Sequence, residues 1–150
     1  MTKSFIRKVI TLRRTMGRNL LYIDDSKLRH HIMTGLARNY EDLRVYTAQS
    51  GRVVLKRIER GELPPLDMIV CDYNMVTDGV EFLREIQKYL SDGGSVPEYV
   101  LLADDPAAAS DELQRGGLIA RIIQKPLSLN DLRALLEGVP PARKARRGSW

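Results

Sequence analysis

One cysteine in 150 residues excludes a disulfide framework. Cys71 lies inside an apolar run, with no His or second Cys at ligand spacing, so it does not begin a thiolate metal site either. A reducing, intracellular setting is expected. No apolar run approaches the ~20 residues of a membrane-spanning helix, and the amino terminus lacks the continuous hydrophobic segment of a secretory signal. A soluble protein is expected. Acid is missing from both ends: residues 1–19 hold six of the 24 basic residues and residues 138–150 four more, without one Asp or Glu. The fourteen that remain face all 19 acids, so the middle is acidic although the whole carries +5.

These shifts divide the chain into a basic extension over 1–19, one globular domain over 20–137 and a basic tail over 138–150. With 43% hydrophobic residues the length suits a single core. In the extension, Phe5, Val9, Leu12 and Met16 have helical spacing, but a frayed segment is the simpler expectation. The tail from Pro140 to Arg147 has no core-forming residues and is expected to be disordered. Basic ends of this kind can meet nucleic acid through phosphate contacts, a reading less favoured than a solvated extension.

The most informative stretch runs from Asp67 to Met75. Met68-Ile69-Val70-Cys71 is an apolar run that ends abruptly at Asp72. A buried strand with an acid at its carboxyl end delivers that carboxylate to a crevice. Around it, short apolar runs alternate with segments of helical period. Leu20 to Ile23 ends at Asp24-Asp25, after which Ser26 can cap a helix whose inner face is expected at Leu28, Ile32 and Leu36. Leu43 to Thr47 is a second strand, and Ser50 can cap a helix through Val54 and Ile58 that Gly61 and Pro64-Pro65 close. Beyond Asp72, Gly79 opens a helix with Val80, Leu83, Ile86 and Leu90, and Asp92-Gly93-Gly94 is its exit. Tyr99 to Leu102 is a fourth strand, Ala107 to Leu113 a helix begun near Asp104-Asp105, and Ile119 to Ile123 a fifth strand. Ser128 with Asp131 forms a capping-box pattern for a last helix through Leu129, Leu132 and Leu136.

Strands and helices in alternation give an α/β fold with a doubly wound, five-stranded parallel sheet. Arg44 and Arg121 interrupt the second and fifth strands, as edge strands allow. The order 2-1-3-4-5 follows, with strands 1 and 3 flanking the switch point where Asp24, Asp25 and Asp72 converge. Three carboxylates in one crevice must hold protons or a cation, and a hard divalent ion such as Mg²⁺ suits oxygen donors. Lys125, followed by Pro126 after the fifth strand, adds a positive charge across the same crevice. Such a set handles phosphoryl groups, with a carboxylate oxygen attacking in line. His30-His31 lack a third ligand at suitable spacing and are expected on a half-exposed helix face.

Asp24-Asp25, Asp72-Tyr73-Asn74-Met75, Asp78-Gly79 and Lys125-Pro126 stand in the order of the two-component response regulator family, and residues 20–137 resemble its receiver domain. The resemblance implies a flavodoxin-like receiver fold with Asp72 as phosphoacceptor, fed from a phosphohistidine on a sensor histidine kinase or phosphotransfer protein. It implies Mg²⁺ held by Asp25 directly, by Asp24 through water, by Asp72 and by the Asn74 backbone carbonyl, with Lys125 on the phosphoryl oxygens. Tyr73, Cys71 and Met75 would be bystanders. A stand-alone, cytoplasmic signalling phosphoprotein with a separate effector is expected, with no catalysis beyond accepting and hydrolysing its own phosphoryl group.

The departures fall on output. Where the family has Ser or Thr at the end of strand four, this chain has Leu102, or Ala103 if counted back from Lys125, and the family's aromatic switch is Ile122. Val76 replaces the usual Pro, and the loop to Asp78-Gly79 is one residue short. Phosphoryl chemistry with altered switching is therefore the leading expectation, and a phosphorylation-independent pseudo-receiver, a pure interaction module, is the alternative. A haloacid dehalogenase-type hydrolase also uses a strand-end Asp, but it wants a second acid where Asn74 stands.

Overall fold

A computed structural model of the chain describes residues 18–74, 79–91 and 97–138. The expectations for the extension through residue 17, for Met75, Val76 and Asp78, for the helix exit at 92–94 and for the tail from residue 139 lie outside the described residues.

Five parallel strands form one sheet: β1 (Arg18–Ile23), β2 (Leu43–Ala48), β3 (Met68–Asp72), β4 (Glu98–Ala103) and β5 (Arg121–Gln124), in the order β2-β1-β3-β4-β5. Their crossovers are α1 (Lys27–Ala37), α2 (Gly51–Glu59), α3 (Gly79–Ser91) and α4 (Pro106–Gly116), and α5 (Leu129–Glu137) closes the domain. All of β3 is buried, because both faces are covered. Alternate residues of β1, β3 and β4 feed two cores. Leu21, Ile23, Ile69, Cys71 and Leu101 pack with Val54 of α2 and with Phe82, Leu83 and Ile86 of α3. Leu20, Tyr22, Met68, Val70 and Leu102 pack on the other face with Met33 of α1 and with Leu132 and Leu135 of α5. β2 and β5 are the edges, as their arginines foretell.

The helix starts are written in the sequence. Ser26, Ser50 and Ser128 accept N–H bonds from Arg29, Val53 and Asp131, and Asp131 returns a bond from the Ser128 amide, completing the capping box. Asp105 caps α4 ahead of Pro106, and left-handed Gly117 ends it.

Two expectations are corrected. The inner face of α1 is Met33 and Ala37, flanked by Leu36, while Leu28 is 69% and Ile32 51% exposed. The helix is rotated because its start is tied to β1: the Ser26 amide donates to Asp24 Oδ1, and His30 Nε2 lies 2.6 Å from the Asp24 carbonyl oxygen. Arg29 and His30 are thereby turned to the sheet end and Leu28 and Ile32 to the outside. β5 begins at Arg121 rather than Ile119, since pairing with β4 starts at Val100 opposite Arg121, and Ile119 stands 86% exposed in the link after Gly117.

Candidate functional site

Three strands deliver the site. Asp24 follows β1, Asp72 ends β3 and Lys125 follows β5, so the parallel sheet brings all three to its carboxyl edge. Asp24, Asp25 and Asp72 each offer a carboxylate oxygen within 4.8 Å of the others, with Asp24 and Asp72 buried and Asp25 exposed. The convergence expected from the sequence is thus found.

Asp72 is 2% exposed and its two oxygens are divided between partners. Lys125 Nζ forms an ion pair with Oδ1, and the Asn74 amide donates to the same oxygen at 3.1 Å. Arg29 Nη1 lies 3.2 Å from Oδ2. Lys125 itself is held by its backbone, whose amide donates to the Ala103 carbonyl at 2.9 Å. Asp24 is clamped from three sides: the Tyr22 hydroxyl donates to Oδ2 at 2.8 Å, the Ser26 amide to Oδ1 at 2.9 Å, and Arg29 Nη1 stands 3.5 Å from Oδ2. Burial, reinforced by the bond to Asp24, pushes the Tyr22 hydroxyl far above the usual tyrosine range, so it serves as a fixed donor. Desolvation works against the charge on Arg29, but Asp24 and Asp72 outweigh it and raise its pKa. Burial likewise pushes the Cys71 thiol up, and Cys71 is a neutral core residue beside the site.

Residues 20–137 match the model of the response regulator receiver domain. The chain belongs to that family. Receivers serve two-component and phosphorelay signalling and bind Mg²⁺ at an acidic pocket. No curated protein sequence matches this one. Among solved structures, the chemotaxis protein CheY4 of Vibrio cholerae is 22% identical with a TM-score of 0.67, covering 81% of this chain and 98% of its own. The receiver domain of the histidine kinase CKI1 of Arabidopsis thaliana, complexed with Mg²⁺ and BeF₃⁻, is 26% identical with a TM-score of 0.64 over 83% of this chain and 92% of its own. The co-crystal structure of the Saccharomyces cerevisiae phosphotransfer protein Ypd1 with the receiver domain of Ssk1 gives 17%, 0.67, 81% and 88%.

Leu102, Ala103 and Ile122 are apolar and lie in the core or against it. Leu102 pairs with Asp72 in the β3–β4 register and packs with Tyr22 and Val70, and Ala103 is fully buried. Neither carries a hydroxyl. Ile122 is half-buried against the core beneath α2, α3 and α4. Asn74 is exposed and its side-chain amide donates to Asp104 at 3.0 Å, linking the β3 and β4 exits. Sequence reasoning missed Arg29 and Tyr22, and it placed His30 on a half-exposed helix face, where it lies, without its contact to Asp24. Their signal is positional: the first turn of a helix after a strand-end acid faces that acid, and a strand residue two before it shares its side of the sheet. His30 stacks edge-on against Tyr22 at 5.8 Å, so the pair braces Asp24.

Proposed function

We propose that this receiver accepts a phosphoryl group on Asp72 from the phosphohistidine of a sensor histidine kinase or phosphotransfer protein. The observation that carries this reading is a buried strand-end carboxylate with a lysine on one oxygen and two further acids within 4.8 Å. In the transfer, a carboxylate oxygen of Asp72 attacks phosphorus and the P–N bond breaks with its electron pair staying on the donor imidazole. Lys125, already beside Oδ1, moves from the carboxylate to the incoming phosphoryl oxygens and neutralises their charge. The Asn74 amide orients the attacking carboxylate.

The donor set fits the family's metal: three carboxylates give hard oxygen ligands with Asp25 open to solvent, the arrangement for Mg²⁺ that keeps several waters. Asp24, Asp25, Asp72 and the Asn74 carbonyl would hold it, and bound Mg²⁺ would supply charge neutralisation for the phosphoryl oxygens. Leu102 and Ile122 replace the hydroxyl and aromatic that report phosphorylation, so output follows another route to a separate effector. The receiver itself would be residues 20–137, working in the cytoplasm with basic segments on either side. A second reading is favoured by one observation: Asp72 already has a cation on each oxygen, as befits a pseudo-receiver whose surface is read without phosphorylation.

A heteronuclear NMR titration with Mg²⁺ and then beryllofluoride, on the wild type and Asp72→Asn, separates the two. Shifts around Asp72 in the wild type alone support phosphoryl acceptance. No response in either protein leaves the pseudo-receiver.

A further inference from the structure

The pocket holds a cation that the family motif does not require. Arg29 enters from α1, and its Nη1 is shared between Asp72 Oδ2 and Asp24 Oδ2 at 3.2 and 3.5 Å. Lys125 takes the other oxygen of Asp72, so the two cations divide the phosphoacceptor between them. Counting formal charges, three carboxylates against Lys125 and Arg29 leave one negative charge, where Lys125 alone would leave two. A divalent ion attracted to this pocket therefore meets half the charge, and two of the carboxylate oxygens it would use are occupied.

The two cations differ in freedom. The Lys125 side chain is 12% exposed, whereas that of Arg29 is 47% exposed and reaches the carboxylates from the first turn of α1. Arg29 can swing into water while Lys125 stays. Asp24 has no such freedom, because Tyr22 and Ser26 hold its carboxylate and His30 its backbone carbonyl. The acid presents its Oδ2 where either a guanidinium or a metal ion can take it.

We propose that Arg29 is a built-in counter-cation that competes with divalent metal for Asp72 and Asp24, so that metal loading expels its guanidinium toward solvent. The inference rests on the metal-binding reading above. It also gives the pocket an outward signal that needs neither a hydroxyl at Leu102 nor an aromatic at Ile122. Expulsion moves a positive charge on α1 beside the exposed Leu28.

The test is calorimetric titration of MgCl₂ into the full chain at fixed ionic strength, for the wild type, Arg29→Ala, Arg29→Gln and Arg29→Lys. Arginine side-chain ¹⁵N resonances are followed in parallel in the wild type. Both neutral variants are expected to bind Mg²⁺ about tenfold more tightly, with Arg29→Lys between them and the wild type, and one arginine Nε signal should move as Mg²⁺ is added. Gln keeps much of the side-chain bulk, which guards against a folding defect in Arg29→Ala. Equal or weaker affinity in the neutral variants, with the wild type still binding, overturns the competition and leaves the metal reading standing. Failure of all four proteins to bind Mg²⁺ overturns both.

Discussion

Replacing Lys125 with Met tests whether the pocket is held together by charge. Lys125 and Asp72 form a nearly buried ion pair, with side chains 12% and 3% exposed. Removing one partner of a buried pair costs about 3–5 kcal/mol, because the remaining charge is stranded. Here Asp72 keeps the Asn74 amide and Arg29, so the low end, about 3 kcal/mol, is expected. For a domain of this size each kcal/mol moves the melting temperature by about 4 °C, and Lys125→Met should melt roughly 12 °C below the wild type at neutral pH without metal, followed by circular dichroism. Adding Asp72→Asn to Lys125→Met removes the stranded charge and should return more than half of the loss, a coupling that a double-mutant cycle measures. Mg²⁺ should raise the melting temperature of Lys125→Met more than that of the wild type. A loss under about 1 kcal/mol, or a double variant less stable than Lys125→Met alone, would refute the view that Lys125 serves to neutralise a buried carboxylate.

Other expectations concern the scaffold and the pH range. Gly51→Ala adds a Cβ closer than 3.0 Å to the buried ring of Phe82, so despite the better helix propensity of Ala it should destabilise by about 1–3 kcal/mol in urea unfolding. Ser128→Ala breaks the capping box of α5 and should cost about 1 kcal/mol, with the equilibrium m-value unchanged. Tyr22 stays neutral in the folded protein beyond pH ~10, where a tyrosine in the unfolded chain ionises. The folded state then binds more protons, so stability is complete below that pH and falls as pH rises above it. Tyr22→Phe should make that alkaline decline shallower by up to about 1.4 kcal/mol per pH unit, and an unchanged slope in unfolding at pH 10–11.5 would refute the assignment.

The architecture was legible because each element carries a local instruction. The charge-free runs ending at Asp24, Asp72 and Leu102 are the three central strands, and the serine caps mark where α1, α2 and α5 begin. The convergence of Asp24, Asp25, Asp72 and Lys125 followed from strand order alone. The rotation of α1 was not legible. Leu28, Ile32 and Leu36 have good helical spacing, but the rotation is set by hydrogen bonds to Asp24, and hydrophobic period does not encode them. The same blind spot concealed Arg29. Long charged side chains on a first turn usually point to water, and only the placement of two carboxylates above that turn draws this one inward. Ile119 reads as a strand residue by composition, yet β4 offers it no partner.

The pocket is assembled from the first, third and fifth strands, which bears on how the chain folds as it is made. Asp72 emerges from the ribosome 43 residues after Arg29, and Lys125 later still, directly after β5. Until β5 adds to the sheet edge, Arg29 is, among the described residues, the cation paired with the carboxylates after β1 and β3. The nascent sheet therefore carries uncompensated negative charge at its carboxyl edge that β5 and the lysine after it offset together, tying completion of the sheet to completion of the site.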